Sequence, residues 1–445
     1  MYWYNIIPDL EFDLPPMVSP SGYPLNSNDL MYLSPSSIID QELDRTNRFV
    51  TIPAAVRQFY SEWRPTPLYR AERFEKVLGT PARIFCKYEG VGPFSSHEAN
   101  TAVAQAYYAT QEGVKHIVSA TSNGEWGASL ALACNHFGVK CKVYMVRSSY
   151  DEKVFGRYIM EILGAEVIAS PSEHTRTGKK VLSQVPQSPG SLGITLSEAF
   201  EKASPHDEIK FSCGTVMNHV LLHQTVVGIE AGLQMRQAGV YPDIIIASVG
   251  GGSGFGGLVF PFYRERKGGT RMIAVETDAA PSLSKGRFTY DYADAHGFSP
   301  LLKMYTLVSG FVPSGICAGG MRYHGISPLV SALYREKLIQ AKVYTQKQAF
   351  DAAITFARSE GLIPYPESSY AIKAVLDEAL VCKEKNERKN VLFLLDANSN
   401  LDLATFKDFL EGSVEDVPFL EKQIKSALDK LPRVESALDK LPQVE

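Results

Sequence analysis

The chain has 445 residues, 45% of them hydrophobic and 21% charged, which is enough to bury a large core and excludes a disordered, collagenous or coiled-coil protein. Its formal net charge is −4, and Lys and Arg are scattered, so no basic field recruits nucleic acid. Six Cys stand far apart, with no CxxC pair, and read as reduced thiols of a cytoplasmic protein.

The opening stretch MYWYNIIPDLEFDLPP has neither a basic nor a long apolar region, so it does not read as a signal peptide. Residues 1–60 are rich in Pro, Ser and Asn and are expected to form an arm along the body. From Pro81 onward, apolar runs of strand length alternate with helical patterns. Strands are predicted at 82–88, 116–121, 140–146, 166–170, 243–249, 272–276 and 390–395. Helices are predicted at 97–112, 128–138, 151–164, 219–239, 347–360 and 367–383. Strands that are apolar throughout, alternating with helices, predict an α/β protein with parallel sheets. Residues 278–327 interrupt the rhythm with Pro, Gly and Tyr. The tail is amphipathic and carries a tandem repeat, SALDKLPRVE (426–435) and SALDKLPQVE (436–445), expected to be exposed and dispensable. The uncharged run 244–263 approaches membrane-spanning length, but its six glycines between 250 and 257 favour strand, loop and buried helix; no membrane association is expected.

Three turns follow predicted strands, where open parallel sheets bind ligands. The first is FSSHEAN (94–100), the second TSNGEWG (121–127) and the third GGGSGFGG (250–257). The glycine loop, Gly250, Gly251, Gly252, Ser253 and Gly254, can turn backbone N–H groups and a helix N-terminus toward a phosphate. It can also serve only close helix–sheet packing. Ser95 and Glu98 have capping-box spacing, which makes Glu98 a helix-start residue. Asp396 begins a polar turn after a buried strand. His219 and His223 are one helical turn apart, but no third metal ligand is visible and no metal is expected.

The stretches RPTPLYRAERFEK (64–76), KYEGVGP (87–93), NTAVAQAYY (100–108), WGASLALAC (126–134), NHVLLHQTVVGIEA (218–231), AGGMRYHGISPLVS (318–331) and EGLIPYPES (360–368) resemble the tryptophan synthase β-chain family, in its second, stand-alone subfamily. The resemblance implies a two-lobed fold type II pyridoxal-phosphate enzyme architecture. Residues 97–230 would form the smaller lobe, with a mobile segment at about 120–210. Residues 61–96 and 231–410 would form the larger lobe, and 411–445 a helical tail. It implies pyridoxal phosphate (PLP) as cofactor, held by His97, Asn100, Gly250, Gly251, Gly252, Ser253, Gly254, Glu367 and Asp396. A homodimer is implied, Tyr2, Trp3 and Tyr4 supplying interface surface, with a related β-chain as a further candidate partner.

The departures fall on the chemistry. The family's loop reads Ser-His-Lys-x-Asn, the Lys forming a Schiff base with the cofactor; here the Lys position holds Glu98. A carboxylate cannot form an imine. The family's acid/base Glu aligns with Ala120, and its Ser facing the pyridine nitrogen with Asp396. No intact catalytic set is expected. The main reading is a degenerate, ligand- or partner-binding member of the family, in which PLP is not covalently bound and the glycine loop still takes an anion. Two alternatives stand beside it. One is an altered enzyme using Glu98, Glu125 or Asp396 as acid/base groups. The other is an active β-chain joining indole with serine or phosphoserine to make tryptophan, which would need another lysine such as Lys87.

Overall fold

The computed structural model describes residues 1–203, 208–266, 269–399, 402–416 and 421–429. Two parallel sheets organise it. The larger has six strands in the spatial order Gln340–Tyr344, Arg271–Thr277, Ile244–Ser248, Asn390–Leu395, Arg83–Tyr88 and Leu68–Arg70. All neighbours pair in parallel except the edge strand Leu68–Arg70. The smaller is fully parallel, in the order Glu166–Ser170, Lys140–Val146, His116–Thr121 and Ile209–Phe211.

Helices cover both sheets, so the central strands such as Ile244–Ser248 and Asn390–Leu395 bury both faces and carry Val, Ile, Leu and Phe without alternation, whereas the edge strands are partly exposed. Val391 through Leu395 are all buried. The helix Ala99–Gln111 packs against Glu125–Phe137, and its Ala102, Val103, Ala104 and Ala106 are each 0% exposed. Its alanines let two helices approach closely while keeping high helix propensity. Residues 278–327 form an antiparallel hairpin, Arg287–Tyr292 with Leu301–Thr306, and loops around it.

The N-terminal arm is sewn into the body. Tyr2–Tyr4 pairs with Phe49–Thr51, and Trp3 and Tyr4 are 0% and 3% exposed. The expected aromatic interface surface is therefore reduced to Tyr2 and its ring neighbour Phe49, because the other two rings fill this chain's own core. The Tyr4 N–H donates to Thr225 Oγ1 at 2.8 Å, and that hydroxyl donates to the Leu222 carbonyl at 2.6 Å. There the single helix expected over 219–239 divides into Asn218–Gln224 and Val226–Gln237. His219 and His223 face the arm: Glu42 Oε2 lies 2.7 Å from His219 Nδ1, and Gln41 Oε1 lies 2.7 Å from His223 Nε2. Among the described residues no group of His, Cys, Asp and Glu is spaced to hold a metal ion, and no helix is long and apolar enough to cross a membrane. The second tail copy, and the first beyond 429, lie outside the described residues.

A buried ion cluster joins four segments. Arg64 donates to Glu89 and Glu230, both at 3.0 Å; Lys87 donates to Glu230 at 3.0 Å; and Asn100 Nδ2 reaches Glu89 Oε2 at 3.4 Å. Two cations balance two anions, and Arg64 and Glu89 side chains are each 1% exposed. Removing one member of such a set strands a buried charge. Arg64→Ala should therefore lower unfolding free energy by about 3–5 kcal/mol in urea titration, whereas Lys142→Ala, at the exposed Glu166 pair, should change it by under about 1 kcal/mol.

A candidate ligand cleft lined by carboxylates

The cleft opens at the C-terminal ends of the larger sheet's strands, beside the point where strand order reverses. After Ile244–Ser248 the chain enters the glycine loop and then the helix Ser253–Glu265. Gly252, the residue before that helix, has φ 114°. A Cβ on Gly250 would collide with the Gly320 carbonyl, and one on Gly251 with the Thr215 hydroxyl. The glycines thus serve packing as well as leaving N–H groups of the loop and first turn directed into the cleft.

After Arg83–Tyr88 the chain loops to His97, whose N–H donates to the Asp396 carbonyl at 3.0 Å and whose Nε2 lies 3.4 Å from Ser253 Oγ. Glu98 follows. The expected capping box does not form: Glu98 itself is the N-cap of Ala99–Gln111, its side chain makes no cap bond, and Ser95 sits at φ 62°. Instead Ser96 Oγ accepts the Glu98 N–H at 3.2 Å, which frees the Glu98 carboxylate to face the cleft.

The smaller sheet supplies the opposite wall. His116–Thr121 leads through Ser122, Asn123 and Gly124 into the helix beginning at Glu125. Asn123 Nδ2 donates to Tyr365 OH at 2.9 Å, a bond from one wall to the other. Glu367 enters from the start of Pro366–Lys385 and accepts the Gly320 N–H at 2.6 Å. Asp396 ends the strand Asn390–Leu395; its carboxylate accepts from Ser368 Oγ, and Ser248 Oγ lies 3.5 Å away. It is therefore a cleft carboxylate rather than only a turn residue.

These segments enclose a cavity of about 120 Å³ lined by Glu98, Glu125, Glu367 and Asp396, and among the described residues lining it there is no Lys or Arg. Burial, then Glu367 and Asp396, push the Glu98 carboxyl up to about 8. Burial likewise raises Glu367 to about 8, against the opposing pull of the Gly320 N–H and Lys153. Glu125 is raised well above 4.5 by burial first, then by Glu98 and Glu367. The nearby cation Lys153 is tied to Asp402 at 2.7 Å. Lys87 is not at the cleft: it is fully buried, its Nζ bonded to Thr66 O at 2.8 Å and to Glu230 and Gln234, both at 3.0 Å.

Of the residues expected at the site, His97, Glu98, Ala120, Gly250, Gly251, Gly252, Ser253, Gly254, Glu367 and Asp396 line this one cavity. Asn100 does not; its Nδ2 turns to Gln224 Oε1 at 3.0 Å, below the floor. Arg322 and His324 hold loops, donating to Pro313 O at 3.3 Å and facing Tyr292 O at 2.9 Å. Tyr365 and Asn123 lie within the stretches quoted above, but nothing in the pattern marks them as site residues. Thr215, Leu192 and Tyr323 also line the cleft; Thr215 and Leu192 lie outside the quoted stretches, and nothing singles out Tyr323 within its own.

The fold and cleft place the chain in a known class. The family model for pyridoxal-phosphate dependent enzymes matches residues 60–396, and the chain belongs to that family. Within it, the chain is 48% identical to tryptophan synthase beta chain 2 of Aquifex aeolicus, over 93% of this chain and 97% of that protein. It is 46% identical to tryptophan synthase beta chain 2 of Methanosarcina mazei, over 93% and 94%. Solved structures with the same fold include a threonine deaminase from T.th., at TM-score 0.57 and 19% identity, covering 78% of this chain and 96% of that one. A fungal L-serine ammonia-lyase from Rhizomucor miehei gives TM-score 0.59 at 16% identity, covering 78% and 98%. The architecture is that of the fold type II pyridoxal-phosphate enzymes.

The fit of PLP to these residues is divided. The glycine loop suits its phosphate, and Asp396 suits a protonated pyridine nitrogen. Nothing lining the cleft among the described residues supplies the primary amine that an imine requires.

The raised carboxyls predict a pH effect with a definite sign. Unfolded glutamates ionise near 4.5, whereas Glu98 and Glu367 hold their protons to about 8 in the fold. The folded state binds more protons across that window, so stability is greatest below it and falls as pH rises through it. Denaturant titrations from pH 4.5 to 8.5 should show this fall, and Glu98→Gln should make it shallower and leave the variant the more stable protein at the alkaline end.

Proposed function

We propose that this chain is a tryptophan synthase β-type protein whose cleft binds a phosphate-bearing small molecule without covalent attachment, and that it does not make tryptophan by the family's lysine-dependent route. One observation carries the reading: Glu98 occupies the start of Ala99–Gln111 at the cleft, and no amine lines the cavity among the described residues. Its own residues can still bind and orient. The loop N–H groups and Ser253 take a phosphate, Asp396 accepts from a ring nitrogen, and Glu98, Glu125 and Glu367 can hold or pass protons near neutral pH.

A second reading, that the chain makes tryptophan, is favoured by the names and the 46–48% identity of its relatives. It requires a lysine from elsewhere. Lys87 would have to leave three hydrogen bonds and a buried ion cluster, and Lys153 its bond to Asp402. Ala120, at the cleft wall, can move no proton.

Purified protein mixed with PLP should show no visible imine band and no lysine adduct after borohydride reduction. Tryptophan formation from indole and serine should stay at the enzyme-free level. Glu98→Lys should yield a borohydride-trapped cofactor but turnover roughly ten-thousand-fold or more below an intact β-chain, because Ala120 remains; adding Ala120→Glu should raise it. A lysine adduct in the unmodified protein would establish the second reading.

We also propose a cytoplasmic homodimer. Six free cysteines, five of them buried, suit a reducing compartment. The exposed Tyr2 and Phe49 rings, 4.4 Å apart on one strand pair, offer apolar surface for self-association. Light scattering should give twice 49.1 kDa; a concentration-independent monomer would exclude the dimer.

A further inference from the structure

Charge in the cleft is divided between two poles. One is the glycine loop, with Ser253 and the first turn of the 13-residue helix Ser253–Glu265. This pole attracts anions. The other is made of Glu98, Glu125 and Glu367, with Asp396 beside them and no Lys or Arg among the described lining residues. The second pole is unsatisfied. Glu367 is 8% exposed, and its Oε2 has no hydrogen-bond partner; Glu98 Oε2 has none either. His97, also 8% exposed and lining the cleft, leaves Nδ1 without a partner. Buried polar atoms are normally paired, so unpaired carboxyl oxygens around one cavity call for a ligand group to pair them, and a cationic donor would pair them in their ionised form.

We propose that the cleft selects an aromatic phosphate monoester bearing a primary ammonium group, the aminomethyl rather than the aldehyde form of the pyridine phosphate, with the ammonium paired to Glu98 and the phosphate on the Gly250–Ser253 loop. This rests on the non-covalent reading given above. An aldehyde offers Glu98 no hydrogen to accept, whereas an ammonium offers three N–H donors and a positive charge. Glu98 and the loop line the same cavity, and the charges are complementary: a cleft with a lysine supplies an amine to a ligand aldehyde, and this one supplies a carboxylate to a ligand amine. The protons that Glu98, Glu125 and Glu367 hold above the usual carboxylate range are what the ammonium displaces. The groups that face them are His97, Tyr365 and Asp396, with Lys153 beyond Glu367 and already paired to Asp402.

The test compares two probes that differ only at the group facing Glu98. Full-length protein is titrated calorimetrically at about pH 7.5, where Glu98 alone is still mostly protonated, with pyridoxamine 5′-phosphate and with pyridoxine 5′-phosphate, whose hydroxymethyl is neutral. The expected result is a Kd for the amine at least about tenfold lower, the range of a charge-assisted hydrogen bond. Glu98→Gln should bring the two Kd values within about threefold of each other by weakening the amine alone. Equal affinities in the unmodified protein overturn the proposal, and so does binding of neither probe. Pyridoxamine without phosphate should bind at least about tenfold more weakly than its phosphate ester; equal binding removes the phosphate pole. Failure of the underlying non-covalent reading is a separate signal: a borohydride-stable PLP–lysine adduct found by peptide mass analysis.

Discussion

The buried cluster of Arg64, Lys87, Glu89 and Glu230 is the constraint on which the cleft depends. It joins the end of the strand Arg83–Tyr88, the segment before Leu68–Arg70 and the helix Val226–Gln237, and through Asn100 it reaches Ala99–Gln111. Glu98 stands two residues before Asn100. Its carboxylate faces the cavity because the helix start is held from beneath by charges that cannot leave without stranding a partner in a low-dielectric interior. Burial pulls Glu89 upward, but Arg64 and Lys87 outweigh it and keep its carboxyl below the usual range. One Glu is thus held below the usual range beneath the floor by this cluster, while Glu98 above it is held high by its own burial and by Glu367 and Asp396.

That contrast separates the residues that hold the fold from those that face a ligand. Carboxylates beneath the floor have guanidinium and ammonium partners; carboxylates above it have one another. Burial raises the proton affinity of Glu98, Glu125 and Glu367 first, and neighbouring carboxylates add to it: Glu367 and Asp396 at Glu98, Glu98, Glu367 and Asp396 at Glu125, and Asp396 at Glu367. The glycine loop on the facing side packs against Gly320 and Thr215 too closely to admit a Cβ, contacts that do not involve position 98.

Sequence patterning located the sheets well. The strands 116–121, 140–146 and 390–395 coincide with those observed, because fully buried parallel strands carry long apolar runs bounded by turns. Helix starts were less legible. Ser95 and Glu98 have the spacing of a capping box, but the left-handed backbone at Phe94 and Ser95 delays the helix to Ala99, and the hydroxyl that bonds the Glu98 N–H is that of Ser96. The break at Thr225 was hidden because the hydroxyl there bonds a partner, the Tyr4 N–H, that lies 221 residues away. The cleft residues from turns after strands were legible, since strand ends are where parallel sheets bind. Asn100 was misplaced because helix spacing alone cannot say whether a side chain faces the cleft or the ion cluster below.

High identity to the relatives is compatible with the proposed non-covalent cleft. Identity over some 421 residues is set mostly by what the fold requires: buried apolar strands, close-packed glycines and an ion cluster whose members depend on one another. None of these reports on a single amine. Glu98, Ala120 and Asp396 all stand on the cavity wall, where the side chain present is set by what the cleft binds more than by what the fold requires. Covalent chemistry, in contrast, rests on that one nitrogen, with no graded loss when it is gone. Sequence similarity therefore argues for the scaffold in proportion to its length, whereas the reaction is decided at one side chain facing a phosphate loop.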